Sequence, residues 1–112
     1  MKIAFTAKGV DWNDAMDSRF GRTEFLVVFD EEKDTLSSFD NRTISSVAHG
    51  AGPLTAKQLF DMAPDVLITG NGPGGNAAAA LQKSDMKIYV GAGSMSLKEA
   101  YDAYKAGNLK QA

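Results

Sequence analysis

Three kinds of residue in this chain of 112 residues have the chemistry for a shared site. His49 is the only histidine and stands in the run "SSVAHGAG". Its imidazole suits metal ligation, acid–base work or, when protonated, contact with an anion. Arg19, Arg22 and Arg42 are permanently charged planar donors that match oxyanion geometry. Gly70, Gly72 and Gly75 lie in "DVLITGNGPGGNAAAAL" and read as G-x-G-x-x-G, a turn that lets backbone approach a ligand.

Each motif has a plainer reading beside it. A dinucleotide fingerprint needs an acidic residue about 20 positions on, at the end of the next strand, and here that strand ends "VGAGSM". Pro73 removes one N–H from the cradle, and the G-K-[ST] of a phosphate-binding P-loop is missing. The glycines then serve either a tight turn with close helix–strand packing or the approach of backbone to an anion. His49 reads equally as an exposed loop residue. Ser45 or Ser46 could be drawn into a triad with it, but no nucleophile-elbow motif supports that. Trp12 and Met16 are apolar residues in a polar segment. They either pack on the domain or form a lid or partner surface.

Composition narrows the classes. Cysteine is absent, which removes disulfides, thiolate metal sites and cysteine nucleophiles. A net charge of −2 gives no electrostatic footprint for nucleic acid. No apolar run approaches the roughly 20 residues of a membrane span, and the N-terminus does not read as a signal peptide. The expectation is a cytoplasmic single domain over residues 1–112, with neither nucleic acid nor membrane as partner.

The elements that must position these residues follow from periodicity. "KIAFTA" alternates as a strand, "EFLVVFD" is a strand buried on both faces, and "TLSSFDNR" is a polar edge strand. Gly52 as cap and Pro53 as first helical residue open a helix that Pro64 ends. "DVLITG", "GGNAAAALQK" and "MKIYVGA" read as strand, helix and strand. "SLKEAYDAYKAG" is a helix opened by a capping box of Ser96 and Glu99 and stopped at Gly107. Right-handed crossovers then predict an α/β, ribonuclease H-like three-layer fold. Its five-stranded mixed sheet has the order 3-2-1-4-5, only strand 2 antiparallel, and three flanking helices.

In that arrangement four loops meet at one sheet edge: 8–23, 41–52, 70–74 and 91–95. All three helices start there, where unpaired N–H groups favour an anion. "GNGPGG" is expected to form one wall of a shallow anion pocket that Arg19, Arg22 and the His49–Gly50 loop complete. Asp11, Asp14 and Asp17 weaken the basic rim. A two-metal nuclease needs converging carboxylates, but Asp30 and Asp65 fall at the opposite edge.

"SRFGRTEFLVVFD", "AHGAG", "DVLITGNGPGGNAAAAL" and "IYVGAGSMSLKEAYDAYKAGNL" together resemble the dinitrogenase iron–molybdenum cofactor biosynthesis family, which includes the NifX-like proteins. The resemblance covers nearly the whole chain in the same order. It implies a ribonuclease H-like fold and a non-catalytic carrier that binds an iron–sulfur or iron–molybdenum cluster precursor as cargo and passes it to a protein partner. Residue by residue, Phe20, Gly21 and Arg22 match the family's F-G-R. His49 and Gly50 match its H-G, and Gly70, Asn71 and Gly72 match its G-N-x-G turn. The family often has a histidine before F-G-R, where this chain has Arg19. The implied cofactor contacts are therefore these nine residues, with His49 as the metal-ligand candidate and Met16 or Met95 as further soft donors. Two other readings stay open. One is a regulatory domain that docks a partner through the 8–23 loop, and the other is a small-molecule enzyme with His49 as its acid–base group.

Overall fold

A computed structural model describes residues 1–81 and 84–112. Its strands are β1 (Lys2–Ala7), β2 (Phe25–Asp30), β3 (Thr35–Asp40), β4 (Val66–Ile68), β5 (Lys87–Val90) and β6 (Lys110–Gln111). Its helices are α1 (Arg42–Ser45), α2 (Ala51–Met62), α3 (Gly75–Leu81) and α4 (Leu97–Lys105).

The six strands form one sheet of order β3-β2-β1-β4-β5-β6. β1, β4 and β5 run parallel, and β2 is antiparallel to both β1 and β3. Side chains alternate across the pleat, and the register keeps the alternation in phase. Ile3 lies between Phe29 and Val66, and Phe5 between Val27 and Ile68. These residues form one core with Leu97 and Ala100 of α4. Ala4, Leu26, Val28 and Leu67 face the other way and pack with Ala56, Leu59, Ala77 and Leu81 of α2 and α3. Helices therefore cover both faces.

Two expectations are corrected. The sheet has a sixth strand: β6 pairs antiparallel with β5 through Tyr89↔Gln111 and Val90↔Lys110. Strand 2 is therefore not the only antiparallel member. The free edge of β5 has donors and acceptors to satisfy, and the chain returning from α4 supplies them. The described residues also form four helices, because the segment after β3 closes one turn as α1. Asn41 ends the edge strand by turning inward to full burial. The expected third helix reached Gln82 and Lys83, which lie outside the described residues.

Helix ends explain where segments stop. The Ser96 hydroxyl accepts from the Glu99 N–H at 3.1 Å, and the Glu99 carboxylate accepts from the Ser96 N–H at 2.9 Å. At the other end Gly107 sits at φ 77°. Its N–H donates to the Tyr104 carbonyl while that of Asn108 donates to Ala103, which is a Schellman closure. α2 starts two residues earlier than expected, with Gly50 as cap at φ 79°. Pro53 is tolerated there because the N–H it lacks would have no partner within the first helical turn.

Candidate functional site

At the edge where β1, β3 and β4 end, a cleft of about 470 Å³ opens on the α2–α3 side of the sheet. Arg19, Phe20, Gly21 and Arg22 form one wall; Gly50, Gly52 and Pro53 at the start of α2 form the other. Gly74 and Ala77 close it from the α3 side. The first loop is drawn here by its own backbone. The Asp17 N–H donates to the Thr6 carbonyl and that of Lys8 to Ala15, each at 2.9 Å. The Met16 N–H donates to Met95, and the loop carbonyls of Trp12 and Asp14 accept from Lys98 and Leu97.

Arg19 is held by a carboxylate. Asp17 has a side chain 0% exposed, against 53% for Arg19. Its carboxylate accepts from Arg19 Nε and Nη2, both at 3.0 Å, and from the backbone N–H groups of Arg19 and Glu24. Burial alone would raise the Asp17 pKa. The hydrogen bonds from the Arg19 side chain, then those from the two backbone amides, outweigh it and hold the carboxyl below its ordinary 3.8. Arg19 is raised by the same pairing. Its charge is thus largely compensated, although about half of its side chain is exposed.

Arg22 is held differently. Its Nη1 donates to the carbonyls of Ser45 at 2.7 Å and Val47 at 3.0 Å, and its Nη2 reaches that of Ala48 at 3.5 Å. Neutral carbonyls orient a guanidinium without cancelling its charge. Beneath, Thr55 of α2 donates to the Gly21 carbonyl at 2.7 Å and accepts from Asn41 Nδ2 at 3.0 Å. Asn41 Nδ2 also donates to Thr23, so α2, the F-G-R turn and the end of β3 form one unit. A Cβ on Gly21 would lie 2.8 Å from the Cα of Gly52. The wall of the cleft therefore requires glycine at that position.

The structure brings part of the expected site together. Arg19, Phe20, Gly21, Arg22 and Gly50 share the cleft, whereas Gly70, Asn71, Gly72 and His49 are not among its lining residues. Phe20 is buried in the α2–α3 core and gives the cleft an apolar base. Gly70 serves packing: a Cβ there would meet Ser18 Cα at 2.6 Å and Gly93 Cα at 2.9 Å. Asn71 donates its N–H to the Ser18 carbonyl at 2.7 Å. Gly72 lines a second cleft with Pro73, Leu81, Met86 and Ile88, and Gly74 reaches the first. His49 is exposed, and among the described residues its side chain has no hydrogen-bond partner. Arg42 pairs with Asp40 at 2.7 Å and covers the Phe25 ring, away from the cleft.

Not every helix start is open to an anion, as the sequence had suggested. The first N–H groups of α4 go to Asp14, Trp12 and the Ser96 hydroxyl. At α2 the first bond is Leu54 to Gly50, which leaves the Ala51 and Gly52 amides at the cleft without helical acceptors. Met16 proves to be core, and half-buried Trp12 packs against that core. Trp12 packs against Phe5, Phe29 and Tyr101 with ring centroids 5.9, 4.9 and 5.5 Å away, and Met16 is fully buried. They do not form an exposed lid.

Chemically the cleft offers N–H donors, one uncompensated cation and an apolar base. Among the described residues no group of three histidines, cysteines or acids is placed to hold a metal ion. Sequence reading took Asp17 only as an acid that weakens the basic rim, and it missed Asn41, Thr55 and the Ala51–Gly52 amides. The signal for Asp17 was its spacing: an acid two residues before an arginine recurs at Asp40 and Arg42, and both pairs form the same fork.

The chain belongs to the dinitrogenase iron–molybdenum cofactor family, whose model matches residues 1–107. Among solved structures it is similar to the apo form of the orange protein from Desulfovibrio gigas. That likeness has 31% identity and a TM-score of 0.91, and covers 99% of this chain and 92% of the other. It is also similar to the NMR structure of a Thermotoga protein named for NifB and placed in the DUF35 family. There the identity is 29% and the TM-score 0.83, with 98% and 91% covered. A comparison with curated proteins gives no significant match.

Proposed function

We propose that the protein is a non-catalytic carrier that binds an iron–sulfur or iron–molybdenum cluster precursor, or a similar anionic cargo, in the cleft beside Arg19 and Arg22, and hands it to a protein partner. The observation that carries this reading is the cleft itself. Arg19, Arg22 and the open start of a twelve-residue helix line one cavity of about 470 Å³ in a member of a cofactor family. Low-dielectric walls strengthen such contacts. The order and directions of the first five strands support grouping the fold with ribonuclease H-like sheets. Docking of a partner through the 8–23 loop has less support, because Trp12, Met16 and Phe20 point into the domain. His49 stands outside the cleft lining with no side-chain partner among the described residues, which gives an acid–base role little support.

Anaerobic reconstitution with iron, molybdate and sulfide tests the reading. The wild type is expected to stay coloured after desalting and to retain iron or molybdenum on elemental analysis. The Arg19→Ala/Arg22→Ala double variant, still folded by circular dichroism, is expected to lose them. A wild type that retains no metal refutes the proposal.

A further inference from the structure

The three arginines of the chain differ in one respect. An arginine presents two donor edges, of which the fork of Nε and Nη2 matches two acceptor atoms of one anion. Arg19 spends that fork on Asp17, with both bonds at 3.0 Å. Arg42 spends it on Asp40, at 2.9 and 2.7 Å. In each pair the acid stands two residues before the arginine. Arg22 has Phe20 at that position. Among the described residues it makes no ion pair, and its Nε has no acceptor. Only Nη2 touches anything on that edge, the Ala48 carbonyl at 3.5 Å, which is marginal for a hydrogen bond.

The other end of the same guanidinium is fixed. Nη1 holds the Ser45 and Val47 carbonyls at 2.7 and 3.0 Å. Arg22 is therefore anchored by one nitrogen and leaves its fork free, in a residue that lines the cleft. Gly50, in the left-handed region at φ 79°, joins the Ala48 segment to α2.

Resting on the cleft reading above, we infer that the Nε/Nη2 fork of Arg22 is the anion receptor of this protein. It takes two coplanar oxo or thio atoms of one cargo face, as a tetrahedral oxo- or thiometallate presents them. Arg19, its fork already occupied, lines the cleft without that role. The cargo replaces the weak Ala48 contact, while Nη1 keeps the segment in place through Ser45 and Val47.

Tetrathiomolybdate, followed by its absorbance during equilibrium dialysis, is the probe. Arg22→Lys keeps the charge but has no fork. It is expected to bind about ten- to a hundredfold more weakly than wild type and to lose more than Arg19→Lys does, while Arg42→Lys, away from the cleft, stays within about threefold. In the wild type, the Arg22 Nε–H NMR resonance is expected to shift on titration and that of Arg19 to stay put. Equal binding by wild type and Arg22→Lys, or a larger loss in Arg19→Lys, overturns the fork assignment. If the wild type meanwhile retains metal on reconstitution, the carrier reading survives that result. A wild type that binds neither tetrathiomolybdate nor reconstituted metal removes both.

Discussion

Asp17 accepts both Nε and Nη2 of Arg19 at 3.0 Å while its own side chain is fully buried. A carboxylate beneath the wall of an anion cleft would ordinarily repel the cargo. Here it is saturated by one guanidinium and two backbone amides, so it acts as a fixed peg for the loop.

Asp17→Asn should therefore destabilise the fold by about 1–3 kcal/mol, measured by urea unfolding at pH 7. Because the folded pKa lies below the ordinary 3.8, the carboxylate's contribution is complete above that value. It is lost as pH falls through the lower folded value. The wild-type unfolding midpoint should fall over that acidic range, and the Asp17→Asn midpoint should vary less. A variant with an unchanged acid profile would show that Asp17 does not carry this dependence.

Gly21 and Gly74 line the same cleft but differ in room. A Cβ at Gly21 would press on the Gly52 backbone at 2.8 Å, whereas one at Gly74 meets nothing within 4 Å. Gly21→Ala should cost about 1–3 kcal/mol, and Gly74→Ala should change thermal stability by less than about 0.5 kcal/mol. Equal effects from the two would mean that the F-G-R turn can move away from α2.

The G-x-G-x-x-G spacing makes its own prediction. Gly70→Ala should destabilise through Ser18 and Gly93, whereas Gly72→Ala, 3.7 Å from a Val90 methyl, should be tolerated. Neither variant should alter NAD or ATP binding, which calorimetry should find absent in the wild type as well. Micromolar affinity for either nucleotide would reverse this interpretation of the turn.

Tyr101 donates its hydroxyl to Glu31 at 2.5 Å. That bond, then burial and the Glu31 charge, push its pKa up to about 12. Tyr101 should therefore ionise late in a spectrophotometric titration, alongside Tyr104, which burial also raises, and Glu31→Gln should bring Tyr101 back toward 10. The raised pKa means that the bond stabilises fully below pH 10 and is lost as pH rises toward 12.

Periodicity and crossover handedness were enough to order the first five strands, because β1, β2 and β4 bury alternate residues on both faces and leave little freedom of register. The Ser96–Glu99 box was legible because its geometry is local. β6 was not: two polar residues carry no period, and the pairing depends on an edge that exists only once β5 is in place. The site was half legible. Phe20, Gly21 and Arg22 announce a turn, but only the fold shows that Asp17 occupies one guanidinium fork and leaves Arg22 without such a partner. Gly70 misled because a glycine required for packing and one required for a ligand look alike in one sequence.

The placement of Trp12 has an optical consequence. It is the only tryptophan and sits with Phe29 and Tyr101 on the α4 side of the sheet, whereas the cleft opens on the α2–α3 side. Colourless anions entering the cleft should leave its emission unchanged. A cargo that absorbs in the near ultraviolet or visible should quench it by energy transfer through the thickness of the sheet. One cuvette can then distinguish an empty protein, one filled with a colourless ion and one carrying a chromophoric metal cluster.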